Sequence, residues 1–221
     1  LGKTFYKLDD HENSSHHFNV LLNTLTSSMF DQDDEDLPLP SNERDKFLGM
    51  SYLYLGLLNL KREEISQSKE NFKKAFHIAS ENVYVRLKYH LLRGRYFKKR
   101  GNISQALKLL KIALKSMQKV LENVDVMEKD WRGPLVDIHL ELIEMYTHHR
   151  RDSKRANFLI NQVRNMIDIK NIPGLKRSVR YNLLLADFFN FIADNNEKYK
   201  HYLKQSRKFK ERLREIGVSD F

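Results

Sequence analysis

A three-residue pattern recurs along this chain and narrows the folds open to it: a small residue, a bulky apolar residue four positions on, and a small or apolar residue three positions further. It occurs at Ser14, Phe18 and Leu21, at Ser68, Phe72 and Ala75, at Ala106, Leu110 and Ala113, and at Ala156, Ile160 and Val163. Tyr199, Leu203 and Ser206 form a looser fifth case. Spacings of four and three return side chains to one face of an α-helix, and a small residue on that face lets a second helix approach closely. Any amphipathic helix shows such contacts, so the pattern alone also fits an ordinary helical bundle.

A second landmark at a nearly constant offset favours a repeat. About twelve residues before the first member of most sets stand Leu1-Gly2 with Phe5, Leu55-Gly56, and Gly94 with Phe97, and Gly101 follows as a turn residue. These positions resemble the first-helix Leu-Gly, aromatic and turn positions of the tetratricopeptide repeat family. The likeness thins toward the end, where Ile143-Glu144 and Leu185-Ala186 replace Leu-Gly and Arg93 replaces an apolar residue. The resemblance implies an all-α, right-handed superhelical array of antiparallel helical hairpins. It reads as a single domain over 1–221, with hairpins at approximately 1–29, 44–80, 82–124, 134–169 and 175–216. Successive landmarks lie 54, 38, 50 and 42 residues apart, against about 34 for the ideal unit, which predicts long helices and inserted loops. The first match begins in mid-helix and no initiating Met is present, so the chain is expected to be part of a longer protein.

Charge divides the chain unevenly. The net charge is +10, and between Lys61 and Val120 sixteen Lys or Arg face four Asp or Glu. Asp31 to Asp36 instead holds five acidic residues in six and runs into Leu37-Pro38-Leu39-Pro40, which predicts an extended acidic loop over 31–40. The longest apolar stretch, Phe47 to Leu60, is interrupted by Gly49, Ser51 and Asn59 and is too short for a bilayer span, so it predicts a buried helix. With no cysteine, disulfides and thiolate chemistry are excluded, and an intracellular location, cytoplasmic or nuclear, is expected.

Motifs for catalysis are missing. Neither a phosphate-cradling glycine loop nor a nucleophile elbow is present, and no cofactor or metal is implied. His16-His17 and His148-His149 are adjacent pairs, which point about 100° apart on a helix and suit a shared metal poorly. Glu141, Glu144 and His148 do share a helical stripe, a spacing that suits metal or acid/base chemistry but more often marks a solvated face. The aromatic residues, among them Tyr52, Tyr54, Tyr84, Tyr89, Phe188 and Phe189, sit at helical spacing among leucines and are expected between hairpins.

The family resemblance implies a concave groove lined by first helices. Carried over by the landmarks, its positions fall on Met50, Leu53, Leu57, Leu60 and Lys61, then on Lys88, Leu91, Arg95, Lys98 and Lys99, then on Ile138, Glu141, Met145, His148 and His149, and last on Arg180, Leu183, Asp187, Asn190 and Phe191. The Lys and Asn pattern by which some members clamp a terminal carboxylate is not reproduced, since Leu53 and Leu57 stand in its place. The partner-binding candidates are Leu53, Leu57, Lys61, Lys88, Leu91, Arg95, Lys98, Lys99, Met145 and His148. The resulting expectation is a non-enzymatic scaffold or adaptor binding an acidic and hydrophobic segment of a partner protein, without a membrane, within a multiprotein assembly. Nucleic acid, RNA in particular, is the second choice of partner, and a regulatory region of a larger enzyme is a third reading. The acidic loop would be a candidate competitor for the basic groove.

Overall fold

The computed structural model describes residues 1–7, 10–27, 41–123 and 132–218. Among them every regular element is helical: α1 (Gly2–Lys7), α2 (His11–Thr26), α3 (Ser41–Lys61), α4 (Ile65–Glu81), α5 (Val83–Lys99), α6 (Ile103–Asn123), α7 (Arg132–Glu144), α8 (Ser153–Val163), α9 (Ile172–Phe191) and α10 (Asn196–Glu215). A π turn over Met145–Arg150 extends α7. The protein is thus all-α, with neighbouring helices packed on one another. The acidic loop over 31–40 and Trp131 lie outside the described residues.

Helix starts follow from short polar side chains that accept the unpaired N–H groups of the first turn. Asp10 caps α2, Asn102 caps α6, Asp152 caps α8 and Asn195 caps α10 in this way. Asn82 and Asn171 do the same for α5 and α9. Asn171 to Gly174 therefore opens α9, with Pro173 in the first helical turn, where its missing N–H costs nothing. Pro134 sits likewise in the first turn of α7.

The turns within hairpins share a frame that sequence patterns did not reveal. Glu63, Gly101, Arg151 and Asp194 all have left-handed backbones, with φ of 65°, 77°, 49° and 45°. Each lies five residues before the first member of a small-residue set, at Ser68, Ala106, Ala156 and Tyr199. Only Gly101 adopts this conformation without the steric cost of a Cβ. The two earlier turns close with an N–H reaching back five residues, Glu64 to Asn59 and Asn102 to Phe97, each at 2.9 Å. The two later turns are one residue wider, with Asp152 reaching Tyr146 at 2.9 Å and Asn195 reaching Phe189 at 2.7 Å.

The chain forms two compact units, Leu1–Tyr96 and Phe97–Phe221. In the first, Phe18, Leu22, Leu53, Tyr54, Leu57, Leu58, Phe72, Ala75 and Tyr89 form one buried cluster. The reason for glycine in the repeat is visible here: a Cβ on Gly2 would lie 3.2 Å from the Phe18 ring, and one on Gly56 would lie 2.8 Å from the Phe72 ring. The small hydroxyls explain the other half of the pattern. Ser14 Oγ donates to the Gly2 carbonyl and Ser68 Oγ to the Gly56 carbonyl, both at 2.9 Å and both twelve residues apart. Arg93, the charged residue in an apolar position, lies 4.9 Å over Phe72 and 5.0 Å over Tyr89, so its flat guanidinium takes part in aromatic packing. The apolar run Phe47 to Leu60 is the body of α3, and among the described residues no helix is long and apolar enough to cross a membrane.

In the second unit the sets Ala106, Leu110, Ala113 and Ala156, Ile160, Val163 are buried throughout. Helix α7 is enclosed on nearly every side, from Leu135 to Ile143 apart from Asp137. In the last hairpin Ser206 is buried but Tyr199 and Leu203 are only half-buried, and Leu175, Val179 and Leu213 form the local core. In the first hairpin Leu22 and Leu25 are buried in place of the expected Leu21.

Candidate interaction surface

In the stripe of Glu141, Glu144 and His148 the two carboxylates are paired and only His148 reaches the surface. Glu141, 3% exposed in its side chain, accepts from Lys98 Nζ and lies 2.9 Å from Arg180. Glu144 accepts from Lys98 at 2.8 Å and from Arg180 at 2.7 Å. Two carboxylates from α7 are thereby held between a lysine at the end of α5 and an arginine of α9. Burial pushes the Glu144 carboxyl upward, but the Lys98 and Arg180 hydrogen bonds outweigh it and hold the group below the ordinary carboxylate range. Burial lowers Arg180 in turn, and the two carboxylates more than compensate, so its pKa rises.

The same two helices are tied again on either side. Arg177 grips Asp137 with two nitrogens, Nε at 2.8 Å and Nη2 at 3.3 Å, a fork geometry suited to a carboxylate. A Cβ on Gly133 would lie 2.8 Å from that guanidinium, so glycine gives it room. At the other end His148 Nε2 lies 3.2 Å from Asp187, and its ring meets Phe191 edge-on. Acidic positions 137, 141 and 144 on α7 thus face Arg177 and Arg180 on α9 along one seam.

Of the residues singled out as partner-binding, Leu53, Leu57, Leu91 and Met145 are each no more than 1% exposed and belong to the core. Lys98 is committed to the carboxylates. Lys61 lies 3.2 Å from His11 Nε2 and 4.6 Å over the Tyr6 ring, and Lys88 lies 5.6 Å over Tyr84. Arg95 is half-buried, and Lys99 and His148 reach the surface. Two buried histidines complete the polar interior. Burial, with Arg93 and Arg86 nearby, pushes His90 down to about 4, and burial also lowers His139, whose Nδ1 lies 2.9 Å from the Leu135 carbonyl.

Paired helices, left-handed turns at a fixed offset and glycine-to-aromatic closures define an all-α helical-repeat fold. Residues 82–171, which span α5 to α8, match the family model described as the tetratricopeptide repeat protein 21 ARM repeat, a helical-repeat family. No curated protein and no solved structure matches the chain.

Proposed function

We propose that the protein is a non-enzymatic interaction module that holds an acidic, partly apolar segment of a partner protein against its first-helix face. Helix α5 carries the reading. Over Val83–Lys99 it has six Lys or Arg and no acidic residue, and Lys88 and Arg95, groove positions by the family resemblance, are half-buried on it. Charge of this kind steers an acidic partner, while the apolar rim of Met50, Leu60, Leu92 and Tyr96 on the first unit's cluster supplies contact area. The buried leucines act as the support of that face and Lys98 as its internal tie, so the charge-reversal test belongs at Lys88 and Arg95.

The test is affinity capture with the chain and with Lys88→Glu/Arg95→Glu, each with and without nuclease. The expected result is a partner set that survives nuclease and is lost with the variant. An unchanged partner set on the variant contradicts the reading, and loss on nuclease treatment moves it to nucleic-acid bridging.

A further inference from the structure

We infer that the outer face of α6 and α8, within the second unit, is a second binding surface, built for single-stranded nucleic acid. Among the described side chains of α6 the exposed ones are Ser104, Lys108, Lys111, Ile112 and Lys115, with Asn102 at its N-cap, and the three lysines stand at i, i+3 and i+7 on one stripe about 10 Å long. Helix α8 exposes Lys154, Arg155, Asn157, Phe158, Asn161 and Gln162. Tyr146 joins the two helices into one surface: Lys111 of α6 lies 5.8 Å and Arg155 of α8 lies 5.7 Å from the centroid of its ring. Arg150, beside α8, also reaches Ser104 at the start of α6, at 3.1 Å.

The chemistry of this face separates it from an ordinary solvated one. Among the described side chains of α6 and α8 none is acidic. Asp152, which caps α8, pairs with Arg155 at 3.4 Å. Solvated helix faces usually alternate charge. Here cations stand with amides and with a phenyl ring, Phe158, that is 62% exposed. A flexible polyanion uses all three kinds of group: cations track the phosphates, amides meet the edges of unpaired bases, and an exposed aromatic ring offers a stacking platform. An acidic protein segment would use the cations but has no need of the amides, and one exposed phenyl ring is a small apolar anchor for it.

The experiment is fluorescence anisotropy with the whole chain and a labelled oligouridylate of about 20 nucleotides, across a KCl series from about 50 to about 200 mM. Binding is expected, with log affinity falling by about 0.7 per neutralised phosphate against log salt. Lys108→Glu/Lys111→Glu/Lys115→Glu should lower affinity about tenfold or more, while the matched change Lys200→Glu/Lys204→Glu/Lys208→Glu on the exposed face of α10 should leave most of it. Phe158→Ala should weaken binding about fivefold or more without changing the salt slope. Circular dichroism of each variant confirms that helicity is kept. No binding to the oligonucleotide overturns the inference, as does equal loss from the α6 and α10 variants, which would mean response to net charge alone. Competition by poly-L-glutamate as effective as by unlabelled RNA overturns the nucleic-acid assignment in favour of an acidic protein. Because Lys88 and Arg95 are untouched, these results stand apart from those on the first-helix face.

Discussion

Hairpins α3–α4 and α7–α8 carry the same triplet, Ser68, Phe72 and Ala75 in one and Ala156, Ile160 and Val163 in the other. Twelve residues earlier one has Gly56 and the other Glu144. In the first, the absent Cβ lets the Phe72 ring close on the helix backbone, and Ser68 adds a hydrogen bond to the Gly56 carbonyl. In the second, Ala156 has no hydroxyl to give, and Glu144 reaches sideways to Lys98 and Arg180 on other first helices. In the next hairpin the carboxylate stands one residue past Ala186, at Asp187, twelve residues before Tyr199, with His148 as its partner. A repeat position that seals a hairpin when it is glycine ties adjacent hairpins when it is a carboxylate. Loss of the family landmark in the second unit is therefore a change in what holds the helices, and it consumes cations that a groove would otherwise present.

Five changes break or sharpen that contrast, in descending size. Glu141→Ala should cost the second unit about 4 kcal/mol, because Arg180 and Lys98 lose a buried carboxylate and keep their charge. Chemical denaturation reads it, and a loss under about 1 kcal/mol would mean that the seam is held by apolar contact. Acid should act through His90 in the first unit. Its folded pKa is about 4 against an ordinary value of 6.5, so the unfolded chain binds more protons between those values and stability falls as pH drops from 6.5 to 4, by about 3 kcal/mol in all. His139 pulls the second unit the same way. The effect is read as the difference from His90→Gln, which should flatten that part of the curve. The depressed Glu144 behaves differently: its contribution is present above 4.5 and is lost as pH falls through its lower folded value.

Gly56→Ala should destabilise by about 2 kcal/mol, since the clash with Phe72 outweighs the gain in helix propensity. The same exchange at Gly101, where nothing lies within 4 Å but φ is +77°, should cost about 1 kcal/mol through backbone strain alone. Ser68→Ala should cost as little, at about 1 kcal/mol for a hydrogen bond whose acceptor stays buried. Equal thermal shifts at Gly56 and Gly101 would argue that close approach is not the reason for glycine in the first helix.

Much of this was legible in the residues. Spacings of four and three gave the buried faces of α4, α6 and α8, because burial on a helix follows its period, and the apolar run from Phe47 gave α3. That run also held a warning. A helix apolar on every side is enclosed on every side, so Leu53 and Leu57 belonged to the core, and Leu91 and Met145 share their fate. The charge seam was half visible. The acidic stripe of α7 stood out, but its partners at 177 and 180 lie 36 to 40 residues away, and only packing of α7 on α9 brings the two spacings into register. The left-handed turns at Glu63, Arg151 and Asp194 gave no signal, because a turn forced by packing does not require glycine.

The claim that α7 and α9 are joined by charge has a direct test in a double-mutant cycle with Glu141→Gln, Arg180→Gln and the pair, measured by denaturant unfolding. A coupling energy of about 1.5 kcal/mol or more is expected. Additive effects, with coupling near zero, would contradict it.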